Sequence, residues 1–166
     1  MDLTKLFEMQ KVLDARIEKE HPQLQGEDRL AKKILALQVE LGELANELPG
    51  TFKFWSNKKN DYKKALVEYV DCLHFILSIG LEFKYSSYSY ATEEKISLAT
   101  KDTMTNIQNC FYEMSFLNKF RAYQYYHSLL IELLALGRSL GFTGEQIEHA
   151  YLNKNKINHE RQQNGY

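Results

Sequence analysis

Proline is scarce in this chain: of 166 residues only Pro22 and Pro49 are proline. Each sits where a helical pattern stops, so what lies between them can run as long uninterrupted helix. Cysteine is scarce too. Cys72 and Cys110 fall in helix-like segments without zinc or redox spacing, which excludes a disulfide scaffold and reads as free thiols in a reducing compartment. No apolar run is long enough to span a membrane, and the charged N-terminal segment is unlike a signal peptide. The expectation is a cytoplasmic protein with no membrane partner. A formal net charge of −1 leaves no bulk attraction to nucleic acid. Any polyanionic ligand must therefore be met by local cations or metal ions. No strand pattern, internal repeat or low-complexity tract competes with the helical signal.

What is present is ordinary soluble-domain material, 44% apolar and 26% charged, long enough for one domain over residues 1–166. A first helix is predicted over Leu3–Glu20, with Leu6, Met9, Leu13 and Ile17 on its apolar stripe and His21-Pro22 ending it. A second covers Glu27 to Leu48 and ends at Pro49-Gly50. Thr51–Asn60 (TFKFWSNKKN) reads as a loop. A third runs from Asp61 to Phe83, apolar on nearly every side from Ala65 onward. Residues 84–92 read as a connection. Helical patterns then cover Glu93–Phe120 and Arg121–Leu140, as two helices or one long bent one, with Gly141 as a stop. Thr143-Gly-Glu-Gln146 opens the last helix with a capping-box pattern, and that helix extends to Arg161. The fold class is all-α, a helical bundle of about five to six helices.

Two sets of acids stand out. Glu40, Glu43 and Glu47 form a ridge beside the leucine stripe of the second helix. Taken alone, the ridge reads as a solvated edge. The third helix changes that. Glu68 and Asp71 are the only acids of ALVEYVDCLHFILSIGL, with Val67, Phe75 and Ile79 around them. An unpaired carboxylate buried there costs several kcal/mol or takes up a proton. A salt bridge, a hydrogen-bonded neutral acid or a metal each resolves the cost. Faced across a helix pair, Glu40, Glu43, Glu68 and Asp71 make an all-oxygen cage of the kind hard divalent cations prefer.

Other polar residues carry two readings each. Lys154, Asn158 and Arg161 recur on one face of the last helix, either a phosphate grip or a basic helix end complementing the dipole. Gln10 and Asp14 interrupt the first apolar stripe, as partners for other helices or as pocket groups. Trp55 either covers a bound ligand or anchors packing, and His74 is a pocket wall or a satisfied core histidine.

The pattern Glu40-x-x-Glu43 followed by Glu68-x-x-Asp71 resembles that of the MazG-like all-α nucleoside triphosphate pyrophosphohydrolases. LFEMQKVLDARI, FKFWSNKK and EYVDCLHFILSIGLE are similar to segments of the dimeric dUTPases within that superfamily, of the type found in Gram-positive bacteria and their phages. The C-terminal YLNKNKINHERQQNGY matches YxxKNxxNxxRQxxGY almost position for position; residues 84–140 resemble the family only weakly. The resemblance implies a homodimer that hydrolyses dUTP, and dUDP, at the α-phosphate to dUMP. It implies two or three Mg²⁺, with Mn²⁺ a possible substitute, on Glu40, Glu43, Glu68 and Asp71. Glu40 is the favoured base, with Glu43 its alternative. Gln10, Asp14, Trp55 and His74 would line the nucleoside site, and Lys154, Asn158 and Arg161 would hold the phosphates. The alternatives are a MazG-like enzyme for dCTP or a non-canonical nucleotide, and a non-enzymatic helical module that binds a metal or a partner.

Overall fold

A computed structural model describes residues 1–83 and 91–165. Among them the protein is helical throughout. The elements are α1 (Leu3–Glu20), α2 (Arg29–Glu47), α3 (Pro49–Phe52), α4 (Tyr62–Glu82), α5 (Glu93–Ala99), α6 (Thr103–Phe120), α7 (Tyr123–Ser139) and α8 (Gly144–Gln163).

The all-α expectation holds, with eight helices among the described residues where five to six were expected. Both additions have a local cause. Pro49 starts a short turn of helix instead of only ending α2, because its fixed φ suits a first helical position. The predicted Glu93–Phe120 segment splits at Thr100–Asp102. There the Asp102 side chain accepts from Thr105 N–H and opens α6, while Asn106 Oδ1 accepts from Lys101 N–H. Arg121 takes a left-handed conformation (φ 49°) and so divides α6 from α7. The expected connection over 84–92 lies almost wholly outside the described residues.

The long helices begin where side chains can cap them. Asp2, Asp28 and Asp61 accept backbone N–H groups at the starts of α1, α2 and α4. Thr143 and Gln146 complete the capping box of α8. Gly141, at φ +77°, lies just beyond α7.

Helix α4 is the centre of the bundle, with α1, α2, α7 and α8 packed against it. Leu73, Ile76, Leu77 and Ile79 are fully buried, each side chain contributing roughly 1.5–3 kcal/mol by leaving water. Tyr69 donates to the Leu133 carbonyl at 3.1 Å, and α7 comes this close because residue 137 is glycine. A Cβ there would lie 2.6 Å from the Tyr69 hydroxyl. One sequence expectation fails on α4: Val67 is exposed, so the apolar wrapping of Glu68 and Asp71 is one-sided. No described helix is long and apolar enough to cross a membrane.

Candidate active site

A cavity of about 810 Å³ opens where α1, α2, α4 and α8 meet. At one end lie the acids. Carboxylate oxygens of Glu40 on α2 and of Glu68 and Asp71 on α4 all fall within 4.8 Å of one another. Asp71 is buried, and Glu40 and Glu68 are half-buried. Glu43 is exposed and outside that trio, although its charge still reaches all three.

Crowding leaves its mark on their proton affinities. Burial, and then the charges of Asp71, Glu43 and Glu68, push Glu40 up to about 7. Glu68 is raised by burial and by Asp71 and Glu43. Asp71 is also raised by burial, against the pull of Lys154 and Arg161. Three hard oxygen donors that resist ionising together are a site short of positive charge. Lys154 supplies part of it: from α8, its Nζ donates to Asp71 Oδ2 at 2.5 Å. A cation thus already sits on the cage, and the residues present fit Mg²⁺.

The rest of the cavity is lined with a polar relay. Gln10, only 3% exposed, donates through Nε2 to Asp14 Oδ1 at 2.7 Å. Ser78 donates to Asp14 Oδ2 at 2.6 Å, and Lys33 Nζ stands 3.5 Å from the same oxygen. Gln10 Oε1 lies 2.8 Å from His74 Nδ1 and accepts from the Tyr151 hydroxyl at 2.8 Å. Burial, reinforced by the Lys154 charge, holds the His74 imidazole down to about 3, so the ring is neutral. Asn158 and Arg161 line the cavity beside Lys154.

Gln10, Asp14, Glu40, Asp71, His74, Lys154, Asn158 and Arg161 therefore share one cavity, although they come from four helices. Glu68 joins through the acid trio. Trp55 is not on the cavity wall. It is 67% exposed in the segment after α3, edge-on to Phe54, which is 95% exposed. Ser78, Lys33 and Phe75 line the cavity without having been singled out. The α4 pair was within reach, because Asp71, His74, Phe75 and Ser78 follow three-four spacing along one face. Lys33 too lies on a marked face, two turns before Glu40 on α2.

For this all-helical bundle with its acid cluster, basic helix face and polar pocket, the family comparison supplies the class, a nucleotide hydrolase. Residues 2–166 match the dUTPase family, so the chain belongs to the all-α dUTPases and is a dUTP diphosphatase. No individual curated protein matches it.

Proposed function

We propose that this enzyme hydrolyses dUTP, and also dUDP, by attack at the α-phosphorus, with Mg²⁺ held by Glu40, Glu43, Glu68 and Asp71 and dUMP as product. The observation that carries the reading is an acid trio of which Glu40 and Asp71 share one cavity with Lys154 and Arg161. Two or three Mg²⁺, with Mn²⁺ as a substitute, would supply charge neutralisation and a more acidic water. Lys154 moves from Asp71 to the phosphate chain, where it and Arg161 hold charge opposite the cage while Asn158 adds a polar contact. Glu40, whose proton affinity burial and its acidic neighbours push up to about 7, takes the proton of the attacking water. The nucleoside lies toward Gln10, Asp14 and His74. A dCTP-specific reading would need a different partner for that relay, and a merely structural cation would leave the Lys154/Arg161 face unexplained.

The exposed Phe54–Trp55 pair supports a homodimer, since neighbouring exposed aromatics mark surface that a partner covers. Trp55 would then reach a nucleoside by movement of its segment or across the dimer. Two buried free thiols suit a cytoplasmic setting. Pyrophosphate release from a panel of deoxynucleoside triphosphates, with and without Mg²⁺, is the test. Selective, Mg²⁺-dependent turnover of dUTP is expected; equal turnover of dCTP, or none of dUTP, overturns the reading.

A further inference from the structure

The segment between α3 and α4 is tied down at its neck. Asn60 Oδ1 accepts from Gly50 N–H at 2.8 Å, and Asp61 N–H donates to the Glu47 carbonyl at 2.8 Å. Glycine permits that closure, since a Cβ at residue 50 would lie 2.9 Å from Asn60 Oδ1. Inside the neck, Ser56 N–H donates to the Lys53 carbonyl at 2.9 Å and Lys58 N–H to Ser56 Oγ at 3.1 Å. The segment is therefore a compact loop with a fixed aim, not a loose strap. Its tip is the exposed Phe54–Trp55 pair, and neither ring lines the cavity of its own chain. Residues 53–59 (KFWSNKK) carry three lysines and no acid. Among the described residues none of Lys53, Lys58 and Lys59 is in an ion pair.

The open side of the acid cage has the opposite character. Glu43 is exposed and Glu47 half-buried on α2, and among the described residues no cation pairs with either. The last turn of α2 contains no base, so the negative end of the helix adds to their charge. Apolar side chains flank these acids: Val39 is exposed one turn before Glu43, and Val67 is exposed next to Glu68. A rim of carboxylates and valines is thus uncovered, and so is a tip of lysines and aromatic rings.

We infer that the Phe54–Trp55 tip seats on the open side of the acid cage of a second copy, with Lys53, Lys58 and Lys59 against Glu43 and Glu47. The inference rests on the homodimer and nucleotide readings above, and it assigns Trp55 the route across the dimer. Charge complementarity selects the occupant: the tip suits a surface both acidic and apolar, and every copy of this chain carries one. Carrying the tip to its own cavity would have to open the neck. A two-fold pair makes the contact twice, so each chain completes the other's site. Water is then kept from the side of the cage that Glu43 leaves open, where charge interactions with the phosphates strengthen.

Mixing two variants tests this. Glu68→Gln keeps its tip and loses its cage, whereas Phe54→Ala/Trp55→Ala keeps its cage and loses its tip. Each alone should turn over dUTP at least about tenfold more slowly than wild type. Co-expressed in equal amounts, they should recover roughly a quarter of wild-type turnover, because half the dimers are mixed and each mixed dimer holds one complete site. A tip that acts within its own chain gives no recovery, which overturns the inference. Dimer strength is a second readout that needs no nucleotide. In sedimentation equilibrium, Lys53→Glu/Lys58→Glu/Lys59→Glu should weaken self-association at least about tenfold, and mixing it with Glu43→Lys/Glu47→Lys should restore pairing. Fluorescence of Trp55, the one tryptophan, should shift to the red in the lysine variant as the ring returns to water. A monomeric wild type, or a lysine variant that dimerises like wild type, overturns the contact. If that monomer's Trp55 signal answers to single-stranded DNA, the tip belongs to nucleic acid. Absence of dUTP turnover in wild type would sink the nucleotide reading, while the dimer measurements would still decide the contact.

Discussion

The Lys154 ammonium and the Asp71 carboxylate form an ion pair at 2.5 Å that joins the last helix to the acid cage of the central one. Both side chains are mostly buried, so the pair is not a screened surface contact. It puts Lys154 in competition with any metal ion for Asp71. Lys154→Met should therefore bind Mg²⁺ a few-fold more tightly in calorimetry without nucleotide. The same variant should lose on the order of 10²-fold in kcat/KM, because the released ammonium is needed on the phosphates. Weaker Mg²⁺ binding in the variant would show that the lysine assists the metal and does not compete with it.

Glu68 and Asp71 should respond differently to removal. Each loss should abolish dUTP hydrolysis by opening the cage. Glu68→Ala relieves repulsion among the acids, so the metal-free Tm should hold or rise. Asp71→Ala strands a mostly buried Lys154, so its Tm should fall. Near-normal turnover in either variant would refute the cage.

Stability in chelator should bend with pH on both sides. Glu40 holds its proton more tightly when folded, at about 7 against 4.5. Its contribution is complete below about 4.5 and is lost as pH rises through 7. His74 is the reverse: lowered from 6.5 to about 3, it contributes above 6.5 and loses that contribution as pH falls toward 3. Glu40→Gln should flatten the rising-pH side of a Tm profile without touching the acidic side. Mg²⁺ should reverse the wild-type slope there by competing with protons. An unchanged profile in Glu40→Gln would remove Glu40 as the cause.

Arg161 lies at the cavity, and its charge reaches Asp71. Arg161→Ala should reduce kcat/KM by on the order of 10²-fold or more. Stability without nucleotide should fall only modestly, because Arg161 is half-buried and its charge offsets that of Asp71. Protection from melting by a non-hydrolysable dUTP analogue should shrink. Wild-type kinetics would show that this face is only a helix end.

What could be read from the sequence followed periodicity and caps. The span of α1, the capping box at Thr143 and Gln146, and the acids of α2 and α4 are all local patterns. The break at Thr100–Asp102 was missed because Asp102 and Thr105 make an ordinary capping pair inside a segment that is otherwise helical in composition. Ser78 could have been found by extending the Asp71–His74 spacing by one more turn. Lys33 beside Asp14, and Lys154 on Asp71, could not. Those are tertiary meetings, chosen by how helices dock and by which charges would otherwise be buried alone. Trp55 shows the converse, since a conspicuous residue in an aromatic segment need not lie on the wall of the cavity.

Gln10 and Tyr151 touch across 141 positions of chain, and Lys5 and Glu148 across 143. During synthesis the consequence is one of timing. The three clustered acids have all left the ribosome once residue 71 has emerged, whereas Lys154 and Arg161 follow only with α8. A chain stalled before residue 144 would own a place for a cation but nothing to clasp a phosphate chain. Its first helix would hold Gln10 facing a histidine with no tyrosine stacked behind it. On the proposed roles of Lys154 and Arg161, a chain still lacking α8 would therefore not turn over a nucleotide.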